Sequence, residues 1–217
     1  MQKQNYQLML ENEIKALGGR RPRLLLHSCC GPCSTYVLEY LSRCFDITVF
    51  YYNPNIYPAE EFFHRVSEQR RLIDEMFPDG SVGFCEDGFD DTEFYNAVKG
   101  AESLPEGGER CFRCYRLRLG KTAQTARRLG FEYFTTTLSI SPHKNADALN
   151  AIGGELAEQY GVKYLFSDFK KKNGYKRSCE LSERYGIYRQ DYCGCVFSMR
   201  EAEQRRALKT EQRQKEN

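Results

Sequence analysis

The stretch LLLHSCCGPCS, residues 24–34, decides how the chain is read. Three leucines run into His27, two adjacent cysteines, a Gly-Pro pair and a third cysteine. An apolar run ending in a glycine-containing turn opens a strand–loop–helix unit, and such loops commonly hold phosphate on backbone N–H groups. Here thiols occupy that place. RLLLHS (23–28) reads as a buried strand, and STYVLEYLSRC (34–44) as the following helix, capped by Ser34 or Thr35.

The same alternation continues outward from this stretch. DITVFYYN (46–53), SVGFCE (81–86), FEYFTTTL (131–138) and VKYLFSDF (162–169) read as strands. Helical periodicity marks 59–77, 91–100, 111–130 and 144–160. Such alternation implies right-handed βαβ units, hence a single α/β domain with a parallel, doubly wound sheet. The expected organisation is an N-terminal helix in 1–20, an α/β core in 23–169, a basic and cysteine-rich segment in 170–200, and a charged helical tail in 201–217 that frays. In open sheets of this kind, ligands sit beyond the carboxyl ends of the strands. The loops His27–Cys33, Asn53–Tyr57 and Ser139–Lys144 all fall on that rim.

Composition narrows the class. The chain has 217 residues, 41% hydrophobic and 29% charged, which suits a packed core. No apolar run approaches the roughly 20 residues that span a bilayer. The N-terminus lacks the apolar segment of a signal peptide, so a cytoplasmic protein with no membrane partner is expected. The net charge of +2 gives no global field toward nucleic acid. Basic residues still cluster at 20–23, 110–118 and 170–177, and all three runs flank cysteine-rich segments.

Ten cysteines in a reducing compartment point to metal binding or thiol chemistry, not to disulfides. Six fall in three tight pairs: Cys29-Cys30, Cys111-x-x-Cys114 and Cys193-Gly194-Cys195. Adjacent and one-apart cysteines have poor geometry for bridging each other. If Cys29, Cys30, Cys111 and Cys114 converge, four thiolates can hold zinc or a 4Fe–4S cluster. CGPC (30–33) also resembles a thioredoxin-type dithiol, a third possibility, in which Cys30 and Cys33 react. Cys193 and Cys195 can face one metal, because the intervening glycine permits a sharp turn. Cys44 and Cys85 read as core packing, and Cys179 stays open. His27 ends an apolar strand and His64 lies on a surface helix, whereas His143 and Lys144 occupy a loop suited to an anion.

Four ordered motifs carry a resemblance: LLLHSCCGPCS (24–34), CFRCYRLRL (111–119), FTTTLSISPHKN (134–145) and SDFKKKNGYKRSCELSERYGIYRQDYCGCVFS (167–198). Together they resemble the QueH family of epoxyqueuosine reductases over nearly the whole chain, from about residue 23 to 200. The resemblance implies a nucleotide-hydrolase-like (HUP, Rossmann-like) fold with a C-terminal cysteine-rich segment and helix. It implies reduction of epoxyqueuosine to queuosine at the anticodon wobble position of transfer RNA, without cobalamin, as the last step of queuosine synthesis. It also implies a 4Fe–4S cluster and a second mononuclear metal, iron or zinc. On this basis Cys29, Cys30, Cys111 and Cys114 are expected to carry the cluster, and Cys193 and Cys195 the second metal. Asp191, Tyr192 or His27 are candidate proton donors, with Asp191 placed among the catalytic residues. Lys144, Lys171, Lys172 and Arg177 are expected to bind the RNA together with the arginines beside Cys111, and Tyr188 to stack a splayed base. The expected partners are transfer RNA bearing epoxyqueuosine and an electron donor that the sequence does not identify. The rival readings are a zinc-stabilised RNA-binding module and a cytosolic thiol oxidoreductase.

Overall fold

In a computed structural model, residues 4–215 are described, with side chains to residue 210. Five strands form one all-parallel sheet: β1 (Arg23–His27), β2 (Asp46–Tyr51), β3 (Gly83–Glu86), β4 (Tyr133–Thr136) and β5 (Lys163–Tyr164). Their spatial order is β3-β2-β1-β4-β5. The chain thus winds outward from β1 to one edge, returns, and winds to the other edge. The order reverses between β1 and β4, where the loops leaving the two strands diverge and open a crevice.

Helices α1 (Tyr6–Ala16), α2 (Gly31–Leu41), α3 (Ala59–Met76), α4 (Asp91–Val98), α5 (Glu109–Leu129), α6 (Ala146–Tyr160), α7 (Gly174–Arg184) and α8 (Val196–Lys215) complete the fold. Alternation along β1 builds both cores. Leu24 and Leu26 pack with Val37, Leu38 and Ile73 of α2 and α3, whereas Leu25 packs with Leu119, Ala123 and Leu149 of α5 and α6. These leucines are fully buried, each contributing about 1.5–3 kcal/mol of hydrophobic stabilisation. A strand buried on both faces must be apolar throughout, as Leu24–Leu26 is.

Several boundaries differ from the sequence expectation. Helix α2 begins at Gly31 with Cys30 as its N-cap, three residues before the expected Ser34. Pro32 in the first turn explains this, since its fixed φ suits a helix start and its missing N–H is not needed there. Ser34 and Thr35 instead turn their hydroxyls back onto the carbonyls of Cys30 and Pro32, both at 3.0 Å. The apolar run 131–138 is strand only to Thr136, because the Thr136 hydroxyl accepts from Leu138 N–H and starts a 3-10 turn over Thr137–Ile140. Strand β5 is two residues long; beyond it, Ser167 N–H leaves the sheet to bond the Asn150 side chain at 2.9 Å.

The largest difference lies in 170–200, which contains α7. This helix packs against α2, and Gly174 permits the approach: a Cβ there would stand 2.6 Å from the Tyr36 ring of α2 and 1.9 Å from the Phe169 carbonyl oxygen. The terminal residues 1–3 and 216–217 of the expected helix and tail lie outside the described residues. No helix among the described residues is long and apolar enough to cross a membrane.

Candidate metal centre in the switch-point crevice

Strand β1 ends at His27, and the next residues carry the first group of thiols. Ser28 N–H donates to the Phe50 carbonyl at 3.0 Å, and the Asn53 amide donates to the Ser28 carbonyl at 2.8 Å, so β2 fixes the loop. Beneath it, Ser28, Ser34 and Gln69 form a buried hydrogen-bonded triangle. Cys29 N–H donates to Thr137 Oγ1 at 3.3 Å, tying the loop to the chain beyond β4. The sulfurs of Cys29, Cys30 and Cys33 all lie within 4.8 Å of one another. Cys33 therefore joins the adjacent pair, a placement the sequence had left open.

The three sulfurs do not titrate alike. Thiol hydrogen bonds from Cys29 and Cys33 hold Cys30 well below the ordinary thiol range, aided by the Arg65 charge and by Gln190, against burial. The same contacts raise Cys33, and Cys29 is pushed up to about 12, chiefly by its bond to Cys30. An anion in this group is thus favoured at Cys30. The cap position at the start of α2 favours that anion further.

Four further cysteines lie at the start of α5 and in the segment before α8, and of these Cys193 lines the same cavity. Cys111 and Cys114 lie in the first turns of α5, one turn apart, and Gly107 N–H donates to Cys111 Sγ at 3.2 Å. Cys193 and Cys195 flank Gly194, whose φ of +127° only glycine adopts readily. A Cβ on Gly194 would meet Arg65, Ile56 and Asn55 at 3.2–3.4 Å. The turn is held by a bond from Tyr57 N–H to the Gly194 carbonyl at 2.8 Å, and by Cys193 N–H donating to Ser198 Oγ at 2.8 Å. Burial raises Cys114, and burial with the Cys193 charge pushes Cys195 up to about 12.

Buried cations stand among the sulfurs. Arg118 follows Cys114 by one turn, is 2% exposed, and reaches Cys114 Sγ at 4.0 Å and the Asn53 side-chain oxygen. Burial opposes its charge, but Cys114, Cys29 and Cys193 together outweigh this. Arg118 therefore lies between the two groups. Lys144 donates to Cys193 Sγ at 2.9 Å and to Glu106 at 3.2 Å. Its buried ammonium is likewise held charged, against burial, by Cys193, Tyr115 and Glu106.

The geometry sorts the remaining candidates. His27 is fully buried and neutral, because burial and Arg118 disfavour its charge. Thr136 Oγ1 accepts from Leu138 N–H and lies 2.8 Å from His27 Nδ1, while His27 Nε2 lies 3.2 Å from the Tyr52 carbonyl and 3.3 Å from the Arg118 Nε–H. Both ring nitrogens thus face partners inside the core. Tyr192 donates to the Tyr57 carbonyl at 2.9 Å. Asp191 lines the crevice, with its side chain 58% exposed and 3.5 Å from Arg206.

Tyr188 is drawn away from the crevice by the Glu61 carboxylate at 3.2 Å and packs on His64. Tyr175, 40% exposed, lines the crevice in its stead. Arg110 is buried on the carbonyls of Glu102 and Leu104 and on Glu201, so neither it nor Arg118 is available to phosphate, whereas Arg113 and Arg116 of the same run have exposed side chains. Arg177 ties α7 to Glu39 of α2 at 2.6 Å, and Lys172 is paired with Glu11. Lys171 is exposed beside Lys170 and Lys172 along a neighbouring groove.

The cavity above the first thiols encloses about 540 Å³ and is lined by residues of both groups, including Cys29, Cys30, Cys33 and Cys193. A sulfur-ligated group fits the residues present. The donor set is all thiol, the sulfurs of Cys29, Cys30 and Cys33 lie within 4.8 Å of one another, and Arg65 Nη2 and Gln190 Oε1 are buried with no partner among the described residues. Sequence reasoning missed Arg65, Arg118, Glu106 and Tyr175. Arg118 had a signal, lying four and seven residues after Cys114 and Cys111 on one helix face. Arg65 had a fainter one, interrupting the apolar stripe of α3.

Comparison with known proteins identifies the family. The family described as Epoxyqueuosine reductase QueH matches residues 24–201. A protein of that name from Streptococcus pyogenes serotype M1 is 46% identical over 201 residues, covering 91% of this chain and 79% of its own. The Staphylococcus epidermidis protein is 42% identical over 91% of this chain and 85% of its own. That of Thermotoga maritima is 39% identical over 85% of this chain and 94% of its own.

Proposed function

The chain belongs to the QueH family of epoxyqueuosine reductases, and from that premise we propose how its crevice performs the reduction. It is an oxidoreductase that removes the epoxide oxygen of epoxyqueuosine in transfer RNA, giving queuosine. The conversion consumes two electrons and two protons and releases the oxygen as water. We assign it to the whole chain acting as one metalloenzyme domain: an N-terminal helix in 1–20, the α/β core in 23–169, the cysteine-rich segment in 170–200 and the charged tail in 201–217.

The single observation that carries the assignment is that Cys29, Cys30, Cys33 and Cys193 line one crevice at the switch point, with the buried Lys144 ammonium bonded to Cys193. Cys29, Cys30, Cys111 and Cys114 are read as ligands of a 4Fe–4S cluster. Cys193 and Cys195 are read as ligands of a mononuclear metal, iron or zinc. When bound, the first group supplies single electrons and the second polarises the epoxide oxygen as a Lewis acid.

The protein's own residues do the rest. Lys144 fixes Cys193 in the crevice, and its ammonium favours negative charge on an oxygen developing beside it. Asp191, exposed at the cavity wall, is the carboxyl we assign to proton relay from water. Tyr175 offers a stacking face at the rim, and Lys171 with Lys172 offers positive charge to the RNA backbone. Lys172 and Arg177 already hold carboxylates, but exposed pairs are worth only about 0–1 kcal/mol, so phosphate competes for them. The ten free cysteines support a reducing, cytoplasmic setting.

The proximity of Cys29, Cys30 and Cys33, with one stabilised thiolate among them, favours a second reading as a thiol oxidoreductase. Anaerobic purification followed by iron, sulfide and zinc analysis separates the readings. The proposal expects brown protein with about four iron and four sulfide in the cluster plus one further metal. Colourless protein with zinc alone, or metal-free protein with full electron transfer, overturns it.

A further inference from the structure

A second cavity, of about 560 Å³, opens beside the metal centre, and Lys144 lines both. Its walls come from three places. One is the turn after β5, with Asp168, Lys170, Lys171 and Lys172. Another is the start of α6, at Ala146 and Asp147, where the helix brings the positive end of its dipole. The third is residues 4–7 at the start of α1, outside the α/β core.

Helix α1 is fixed in place as a wall. Lys172 pairs with Glu11, Tyr133 donates to Glu13 at 2.5 Å, and the Tyr6 ring stacks on Phe166 with centroids 6.4 Å apart. The opposite wall is held by its own backbone. Lys171 N–H donates to the Asp168 carbonyl at 3.0 Å, and Gly174 N–H to the Lys171 carbonyl at 2.9 Å. Between them Lys172 and Asn173 stand at φ +50° and +63°, a left-handed pair that asparagine tolerates and lysine adopts rarely. Backbone strain of this kind collects where a chain clamps a ligand.

Charge decides what the cavity takes. Four lysines line it against two aspartates. Lys144 is committed to Cys193 and Glu106, Lys170 to Asp168 at 2.7 Å, and Lys172 to Glu11. Lys171, between the last two, is exposed and has no carboxylate partner among the described residues. A strand whose base enters the crevice has its flanking phosphates at the rim, and this groove adjoins that rim through Lys144.

We propose that the groove is a phosphate subsite for the strand carrying the reacting nucleotide: with the modified base in the crevice, an adjoining phosphodiester lies between the start of α1 and Lys171. The inference rests on the reading of transfer RNA as the substrate of the crevice.

The test uses the full chain, purified anaerobically, and a stem-loop RNA of the anticodon arm bearing epoxyqueuosine. Binding is measured across a series of salt concentrations. Lys171→Glu is expected to weaken binding several-fold and to flatten the salt dependence by about one unit. Asp147→Asn removes the opposing charge from the groove and should tighten binding. Both positions are exposed, and effects of opposite sign are not what lost structure produces. Lys15 is exposed near the far end of α1 and lines neither cavity, so Lys15→Glu measures the effect of net charge alone and should change binding less. Stem-loops carrying a neutral methylphosphonate at single positions then locate the contact. The difference between wild type and Lys171→Glu should vanish when one phosphate adjoining the modified nucleotide is neutral, and persist when a remote one is.

Equal losses in Lys171→Glu and Lys15→Glu overturn the subsite, as does a loss that no adjoining methylphosphonate removes. Wild-type protein that neither binds the stem-loop nor converts it to queuosine overturns the transfer RNA reading itself, which shows before any variant is compared.

Discussion

The Lys144 ammonium lies 2.9 Å from the sulfur of Cys193 and 3.2 Å from a carboxylate oxygen of Glu106. It joins the loop after β4, the Cys193-Gly194-Cys195 turn and the loop before α5 at one buried point. Those segments are remote in sequence, so their alignment depends on this cation. Replacing Lys144 with Met removes a charge-assisted bond worth about 1.5–3 kcal/mol. Where that bond acts in the transition state, kcat/KM for epoxyqueuosine-bearing transfer RNA should fall about 10- to 100-fold. Unchanged steady-state kinetics contradict the role.

The cluster assignment predicts a shared loss. Serine at Cys29, Cys30, Cys111 or Cys114 should each lower iron and sulfide content sharply, since oxygen is a poor substitute for thiolate at iron. Cys44→Ser should leave both unchanged, because Cys44 packs against the apolar core under α2. Iron and sulfide analysis checks this directly. Full content in all four variants removes the assignment, and a loss in Cys33→Ser instead moves a ligand to the third sulfur of the first group.

Much of this architecture was legible because apolar periodicity reports burial. Leu24–Leu26, buried on both faces of the sheet, could only be a central parallel strand, and His27–Cys33 then had to lie on the functional rim. The helix in Gly174–Arg184 was not legible. Its inner face is made of Gly174, Ser178, Leu181 and Ser182, so almost no apolar signal marks it. Arg110 and Arg118 misled for a related reason. A run of arginines reads as a solvated surface, yet Arg110 is held by Glu201 and Arg118 by Asn53, partners that come from distant segments. Partners of that kind leave no local pattern.

On the substrate side, the proposed role of the lysines is electrostatic. Replacing Lys171, Lys172 and Lys176 together with Ala should weaken transfer RNA binding and flatten its salt dependence by about one unit per lost phosphate contact. Cluster content should be unaffected. Binding isotherms at several salt concentrations check this, and parallel lines of equal affinity exclude the segment from the interface.

The two exposed tyrosines of the cysteine-rich segment should separate cleanly. Tyr175 lines the crevice, whereas Tyr188 is held by Glu61 and His64. Stacking on a base is worth about 1–3 kcal/mol, so Tyr175→Ala should raise the dissociation constant about 5- to 150-fold and Tyr175→Phe should preserve it. Tyr188→Ala should change binding little. Equal losses at both positions contradict the placement of the base.

The most direct measurement of the whole account is turnover. Anaerobically purified protein, supplied with a chemical reductant and transfer RNA bearing epoxyqueuosine, is assayed by digesting the RNA and separating its nucleosides by mass. Wild type should convert epoxyqueuosine to queuosine with loss of one oxygen. Cys195→Ser should retain most of its cluster absorption and yield no queuosine, because the second thiolate of the Cys193-Gly194-Cys195 turn is gone. Queuosine formed at the wild-type rate by Cys195→Ser, or none formed by wild type, would contradict the account.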